Sequence, residues 1–131
     1  MMSKFLITLF LVVATFSVGL AQDQSQNPSD PPNMGRAPQQ ANGVGRLDLR
    51  VVDQDGNPIE NAHAKLESTR TDGYFCESWN DTDARGVAVL PPIHMGTLKL
   101  KIKAKGFKTL EVAVDAASLN EPVRVVLVKK S

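Results

Sequence analysis

Apolar and polar residues alternate through the C-terminal two thirds of the chain. From Arg46 onward, one run after another has a period of two, which is the pattern of half-buried β-strands. The clearest run is LKLKIKAK at 98–105, where four lysines alternate with apolar residues. Turn sequences rich in Asp, Gly, Asn and Pro separate the runs. The pattern predicts seven strands, near 46–51, 62–67, 74–79, 87–89, 98–105, 110–114 and 123–127.

Seven short strands at regular spacing predict an all-β fold, a seven-stranded antiparallel β-sandwich made of two sheets. In the first strand, the odd positions from Leu47 to Val51 are expected to face the core. Asp48 and Arg50 are then expected on the opposite, solvated face, because successive side chains of a strand point to opposite sides. Only the segment 115–120, DAASLN, suggests a helical turn.

The N-terminal 21 residues have the composition of an export signal. Lys4 precedes an apolar run at 5–18, and small residues lead to a predicted cleavage site after Ala21. The run is shorter than the roughly 20 residues of a membrane-spanning helix, and an uncleaved anchor remains the alternative. Residues 22–45 are rich in Gln, Asn, Pro, Ser and Gly, and predict a disordered linker. The domain is therefore expected at 46–131, in a secreted, periplasmic or cell-envelope protein.

The net charge of the chain limits the kinds of molecule that it can be expected to bind. Residues 1–21 contain one basic residue and no acidic one, so the remaining chain has 14 basic and 14 acidic residues. A neutral chain argues against nucleic-acid binding, which requires a basic surface. The single cysteine, Cys76, cannot form an intrachain disulfide. A buried thiol is its default state, and an intermolecular bridge or a reactive site are the alternatives.

Two groups of residues give the chain a family resemblance. The first hairpin has Asp-x-x-Gly-x-Pro followed by a strand, and the second half has Asp-x-x-Gly, Leu-Pro-Pro, a long alternating strand and Gly-Phe. The residues that match are Asp53, Gly56, Pro58, Ile59, Ala62, Asp83, Gly86, Leu90, Pro91, Pro92, Gly96, Gly106 and Phe107. In this order they resemble the carboxypeptidase regulatory-like domains over about 46–129. Residues 93–95 depart from that pattern, because the family usually goes almost directly from Pro-Pro to Gly.

The resemblance implies a transthyretin-like β-sandwich with a non-catalytic accessory role and no cofactor. Related domains occur beside peptidase domains, in outer-membrane receptors and in surface proteins, and neighbouring folds bind glycans. It implies no particular ligand for this chain.

Two acidic segments pose the question of a calcium site. They are DQDGNPIENA at 53–62 and NDTDARG at 80–86. A helix-loop-helix calcium loop needs oxygen ligands at positions 1, 3 and 5, Gly at 6 and Glu at 12, and neither segment fits. Both are interpreted as turns, in which Asp bonds to nearby backbone and Gly supplies a positive φ. An irregular calcium site, and with it a calcium-dependent adhesion module, is the minor alternative.

The candidate binding residues lie in two stretches. Tyr74, Glu77 and Trp79 belong to YFCESW, which is unusual in a chain with few aromatic residues. Exposed aromatic rings beside a carboxylate are typical of sugar-stacking or protein-contact surfaces, although large aromatics are mostly buried, which favours Phe75 and Trp79 in the core. The second stretch is a lysine stripe on one strand face, either a solvated face or a contact for an anionic surface. Its members are Lys99, Lys101, Lys103 and Lys105.

Catalytic and metal chemistry find little support in the sequence. His63, His94 and Cys76 have no metal-site spacing, and a Cys-His nucleophilic pair has no local motif around it. The sequence therefore predicts an exported, non-enzymatic binding or scaffolding module that contacts a protein partner. A carbohydrate-binding module using Trp79 or Tyr74 is the alternative.

Overall fold

The structure is a computed structural model that describes residues 30–131. Asn33–Ser131 form one compact unit. This unit is all-β, with several antiparallel sheets and a single 3₁₀ turn, Ala116–Ser118, among the described residues. The strands are β1 Val44–Gly45, β2 Asp48–Val52, β3 His63–Thr69, β4 Phe75–Asp81, β5 Val87–Val89, β6 Ile93–His94, β7 Thr97–Lys103, β8 Leu110–Val114 and β9 Val123–Val126.

The strands form three sheets. A four-stranded antiparallel sheet has the order β4-β3-β7-β8, a three-stranded sheet has β5-β2-β9, and β1 pairs with β6. Each of the seven predicted strands has a counterpart, and the structure adds the two-residue strands β1 and β6. The prediction of purely antiparallel pairing is wrong for one pair, because β2 and β9 run parallel, with Leu49 opposite Val123. Alternation in a sequence reports burial and carries no information about strand direction.

The core combines side chains from the four-stranded and the three-stranded sheets. Leu49 and Val51 of β2 and Leu66, Leu100 and Ile102 of the other sheet are fully buried in one cluster. Their alternate neighbours on β3 and β7 are polar, as expected for strands with one buried face. The architecture is consistent with a β-sandwich.

The polar face of β2 is not solvated, which corrects the prediction for Asp48 and Arg50. Asp48 is fully buried and Arg50 nearly so. The carboxylate of Asp48 accepts two bonds from the Arg50 guanidinium, at 2.7 and 2.9 Å, and one from the Met34 N–H at 2.8 Å. The buried carboxylate is thus paired and hydrogen-bonded, which is the condition for keeping a charge away from water.

The last part of the predicted linker belongs to the compact unit. Arg36 and Arg46 exchange two backbone hydrogen bonds, of 2.8 and 2.9 Å, and β1 pairs with β6. The Asn120 side chain accepts the Ala37 N–H at 2.9 Å. The large apolar residues of 33–45, Met34 and Val44, are exposed, and hydrogen bonds from its backbone hold the segment instead. The predicted signal at 1–21 and the linker residues 22–29 lie outside the described residues.

Candidate functional site

The turn between β2 and β3 contains the first of the two acidic segments, residues 53–62. Asp53 Oδ1 accepts the N–H groups of Asp55 and Asn57, both at 2.9 Å, and Gly56 has a φ of +85°. The hydrogen bond from the Asn57 N–H holds the pKa of Asp53 below its usual value of 3.8. The prediction of a backbone-bonded turn is confirmed here.

The turn before β5 repeats the same arrangement. Asp83 Oδ1 accepts the N–H groups of Arg85 and Val87, at 2.9 and 3.2 Å, and Gly86 has a φ of +77°. Hydrogen bonds from the Arg85 side chain are the main cause that lowers the pKa of Asp83. Within residues 30–131, no group of three His, Cys, Asp or Glu side chains is placed to hold a metal ion.

The aromatic strand β4 turns its large side chains outward. Phe75 is 55% exposed and Trp79 57% exposed, so the interpretation that placed both in the core is wrong. The inward positions are instead Cys76, which is half-buried, and Ser78, which is buried and donates its hydroxyl to the Pro91 carbonyl. The sequence indicates this arrangement, because Glu77 points to the same side of the strand as Phe75 and Trp79, and a charged residue favours the solvent-exposed side.

The register of the four-stranded sheet brings most of the predicted binding residues onto that same surface. Trp79 lies opposite Lys65 of β3, which lies opposite Lys101 of β7. Glu77 lies opposite Glu67 of β3, which lies opposite Lys99 of β7. His63 of β3 lies opposite Lys103. We call this surface the outer face, and its members are Phe75, Glu77, Trp79, Lys99, Lys101 and Lys103. Lys105 lies beyond the end of β7.

Charges of both signs lie close together on and beside the outer face. Lys65 Nζ lies 3.4 Å from a Glu67 oxygen and 3.7 Å from a Glu77 oxygen, and Lys101 Nζ lies 3.5 Å from Glu111. Such solvated pairs contribute roughly 0.2–1 kcal/mol each, so they organise the surface more than they stabilise the fold. The lysine stripe is therefore partly neutralised by neighbouring strands, and the face is mixed in charge.

Tyr74 stands apart from the outer face. It precedes β4 in the turn that follows β3 and is 68% exposed. The Arg70 guanidinium carbon lies 5.4 Å from the centroid of its ring, a cation–π distance. Tyr74 is thus an exposed ring at one end of β4 and does not belong to the outer face.

The two histidines and the cysteine each have a different neighbour. His63 Nδ1 lies 2.7 Å from an Asp81 oxygen, and His94 Nδ1 lies 2.9 Å from the Asn42 carbonyl. Cys76 lies opposite Ser68 on β3. The default interpretation of Cys76 as a buried thiol is met in part, because its side chain is half-buried.

Comparisons with known proteins inform the fold. No family model and no curated protein matches the chain. Among solved structures, it is similar to 3-chlorocatechol 1,2-dioxygenase from Rhodococcus opacus 1CP, at 14% identity and a TM-score of 0.51. The match covers 84% of this chain and 71% of that chain. At this identity the likeness shows the fold alone and agrees with the all-β architecture. None of the helices described at 30–131 is long and apolar enough to cross a membrane.

Proposed function

We propose that the protein is an exported, non-catalytic binding module of the cell envelope or extracellular space, and that it contacts a protein partner through the outer face. The observation that carries the proposal is the exposure of Phe75 and Trp79 on one face of an ordered strand. The resemblance to carboxypeptidase regulatory-like domains supports a transthyretin-like sandwich with an accessory role.

The composition of the outer face fits a protein contact. Interfaces are enriched in aromatic anchors and have a polar, partly charged rim. Phe75 and Trp79 are such anchors, about 13 Å apart along the strand. The rim is formed by the ion pairs of Lys65 and Lys101 with their neighbouring glutamates.

Glycan binding is the second candidate, favoured by a specific feature of Trp79. Its exposed ring lies on a flat sheet surface opposite Lys65, so a sugar could stack on the ring while neighbouring charged groups bond its hydroxyls. Tyr74, also exposed, would offer a second ring at the end of β4, apart from the outer face.

One experiment separates the two candidates. The protein, its Trp79→Ala variant and a Val126→Ala control, exposed on β9, are tested for capture of envelope proteins and for retention on cell-wall polysaccharides. We expect Trp79→Ala to lower the capture of specific proteins at least tenfold, about 1.4 kcal/mol. Val126→Ala should retain capture, because it removes apolar surface away from β4.

The outcomes assign the ligand class. Retention on a polysaccharide that soluble sugar reverses and Trp79→Ala abolishes would make glycan the ligand. Equal capture by the protein and by Trp79→Ala, without retention on any polymer, would refute the use of this face.

A further inference from the structure

Strand β4 is an edge strand whose second side is open. Within the described sheets it pairs with β3 alone. Hydrogen bonds run from the Thr82 N–H to the Ala62 carbonyl and from the Arg70 N–H to the Tyr74 carbonyl, at 2.9 and 2.8 Å. These two residue pairs continue the β3–β4 register at its two ends.

The register fixes which backbone groups point outward. In an antiparallel pair, hydrogen-bonded and non-hydrogen-bonded positions alternate. The even positions of β4, from Tyr74 to Thr82, therefore bond to β3. The odd positions turn their N–H and C=O groups to the open edge. Asp81 is capped there by the Asn80 side chain, which accepts its N–H at 2.8 Å. The backbone groups without a partner strand are thus those of Phe75, Glu77 and Trp79, which we call the open row.

The open row is held in place from the inner side. Ser78 donates to the Pro91 carbonyl, and the Asn80 amide donates to the Val89 carbonyl at 3.0 Å. These bonds fasten even positions of β4 to the last residue of β5 and to the segment that follows it. A fixed edge needs little ordering when a strand is added to it, and this lowers the entropic cost of binding.

We propose that β4 binds an extended peptide segment of a protein partner by strand addition. Main-chain hydrogen bonds to Phe75, Glu77 and Trp79 supply affinity, and alternate side chains supply specificity. Cross-strand pairing with this row selects the pattern apolar-x-basic-x-apolar, with Lys or Arg opposite Glu77 and apolar side chains opposite the two rings. The inference rests on the proposed protein-binding function and specifies its mode.

A second copy of the chain fits this edge less well than such a peptide. Antiparallel pairing centred on Glu77 would place two Glu77 carboxylates opposite each other, and like charges in that position are destabilising. Pairing centred on Ser78 would place Phe75 opposite Asp81 and Trp79 opposite Glu77. A peptide with a basic residue opposite Glu77 has neither the paired carboxylates of the first register nor the charged residue opposite an aromatic ring of the second.

The test uses a phage-displayed library of random nonapeptides, selected on the protein produced from its full-length sequence. We expect enriched peptides to alternate apolar residues around one Lys or Arg. Selection on Glu77→Lys should change that central preference to Asp or Glu.

The enriched peptide is then synthesised and its affinity is measured. Glu77→Pro removes one outward N–H without removing a bond to β3, and it should weaken binding at least tenfold. Ala113→Pro, at an outward position of the opposite edge strand β8, is the matched control and should leave the affinity unchanged. Thermal unfolding of both variants confirms that they are folded.

Three results would overturn strand addition. The first is a selection without alternation or without charge reversal in Glu77→Lys. The second is an affinity that Glu77→Pro leaves intact while Trp79→Ala abolishes it; in that case the outer face still binds and the proposed function stands. The third is a dimer, seen by sedimentation, that Glu77→Pro dissociates, because the edge would then belong to a second copy.

Discussion

At the scale of single residues, aspartates act through local hydrogen bonds in two turns. Asp53 and Asp83 each accept two backbone N–H groups with one carboxylate oxygen. Only the ionised carboxylate accepts with full strength, so these bonds lower both pKa values. The main cause is the Asn57 N–H at Asp53 and the Arg85 side chain at Asp83. Both turns have the spacing Asp-x-x-Gly, in which Asp accepts nearby backbone N–H groups and Gly supplies the positive φ, and both could therefore be predicted from the sequence.

These aspartates make stability depend on pH in the acid range. Their pKa values in the folded chain lie below 3.8, so their stabilisation is complete above that pH and is lost as the pH falls through the lowered values. We expect the melting temperature to fall between about pH 5 and pH 2. The double variant Asp53→Asn, Asp83→Asn should fall less steeply over this range, since its amide oxygens still accept but do not titrate. Parallel melting curves for the two proteins would contradict this assignment.

At the scale of elements, glycines at turns have two separate roles. Gly56 and Gly86 both have positive φ, at +85° and +77°. A Cβ on Gly56 would meet nothing within 4 Å, whereas one on Gly86 would lie 2.5 Å from the Val51 carbonyl and 3.0 Å from the Pro58 Cβ. The first turn needs only conformational freedom, and the second also needs close approach between strands.

A pair of substitutions separates the two roles. Gly56→Ala should cost about 1 kcal/mol, the strain of a left-handed residue with a Cβ. Gly86→Ala should cost that strain plus about 1–3 kcal/mol for overpacking against Val51 and Pro58. Urea unfolding of both variants measures the difference in unfolding free energy. An equal loss in the two variants would show that Val51 and Pro58 can move away from the added methyl group without cost.

At the scale of the whole molecule, residues 33–45 complete the fold. Met34 supplies a hydrogen bond to buried Asp48, and β1 pairs with β6. The domain therefore begins well before Arg46, where the hydrophobic alternation starts. Composition could not reveal this, because the segment is held by backbone groups that every sequence possesses.

Truncation tests the boundary. A chain that starts at residue 46 loses the Met34 N–H that bonds to Asp48 Oδ2, while Arg50 still bonds to both carboxylate oxygens. Loss of a hydrogen bond to a charged group costs about 1.5–3 kcal/mol, so this chain should unfold at a lower urea concentration. A chain that starts at residue 33 keeps these contacts and should unfold at the urea concentration of the full-length protein. The two truncated chains would unfold at the same midpoint if residues 33–45 made no contribution.

Seven of the nine strands and both aspartate turns could be predicted from the sequence, because they arise from local patterns. Alternation places Leu66 and Leu100 in the core, and Asp-x-x-Gly closes the turns at Asp53 and Asp83. Tertiary structure decided which strand lies at an edge and which face is covered. It exposed Trp79 and buried Asp48, because neighbouring segments cover the polar side of β2 and leave the outer side of β4 open. Exposure depends on what packs from elsewhere in the chain, and alternation along one strand does not contain that information.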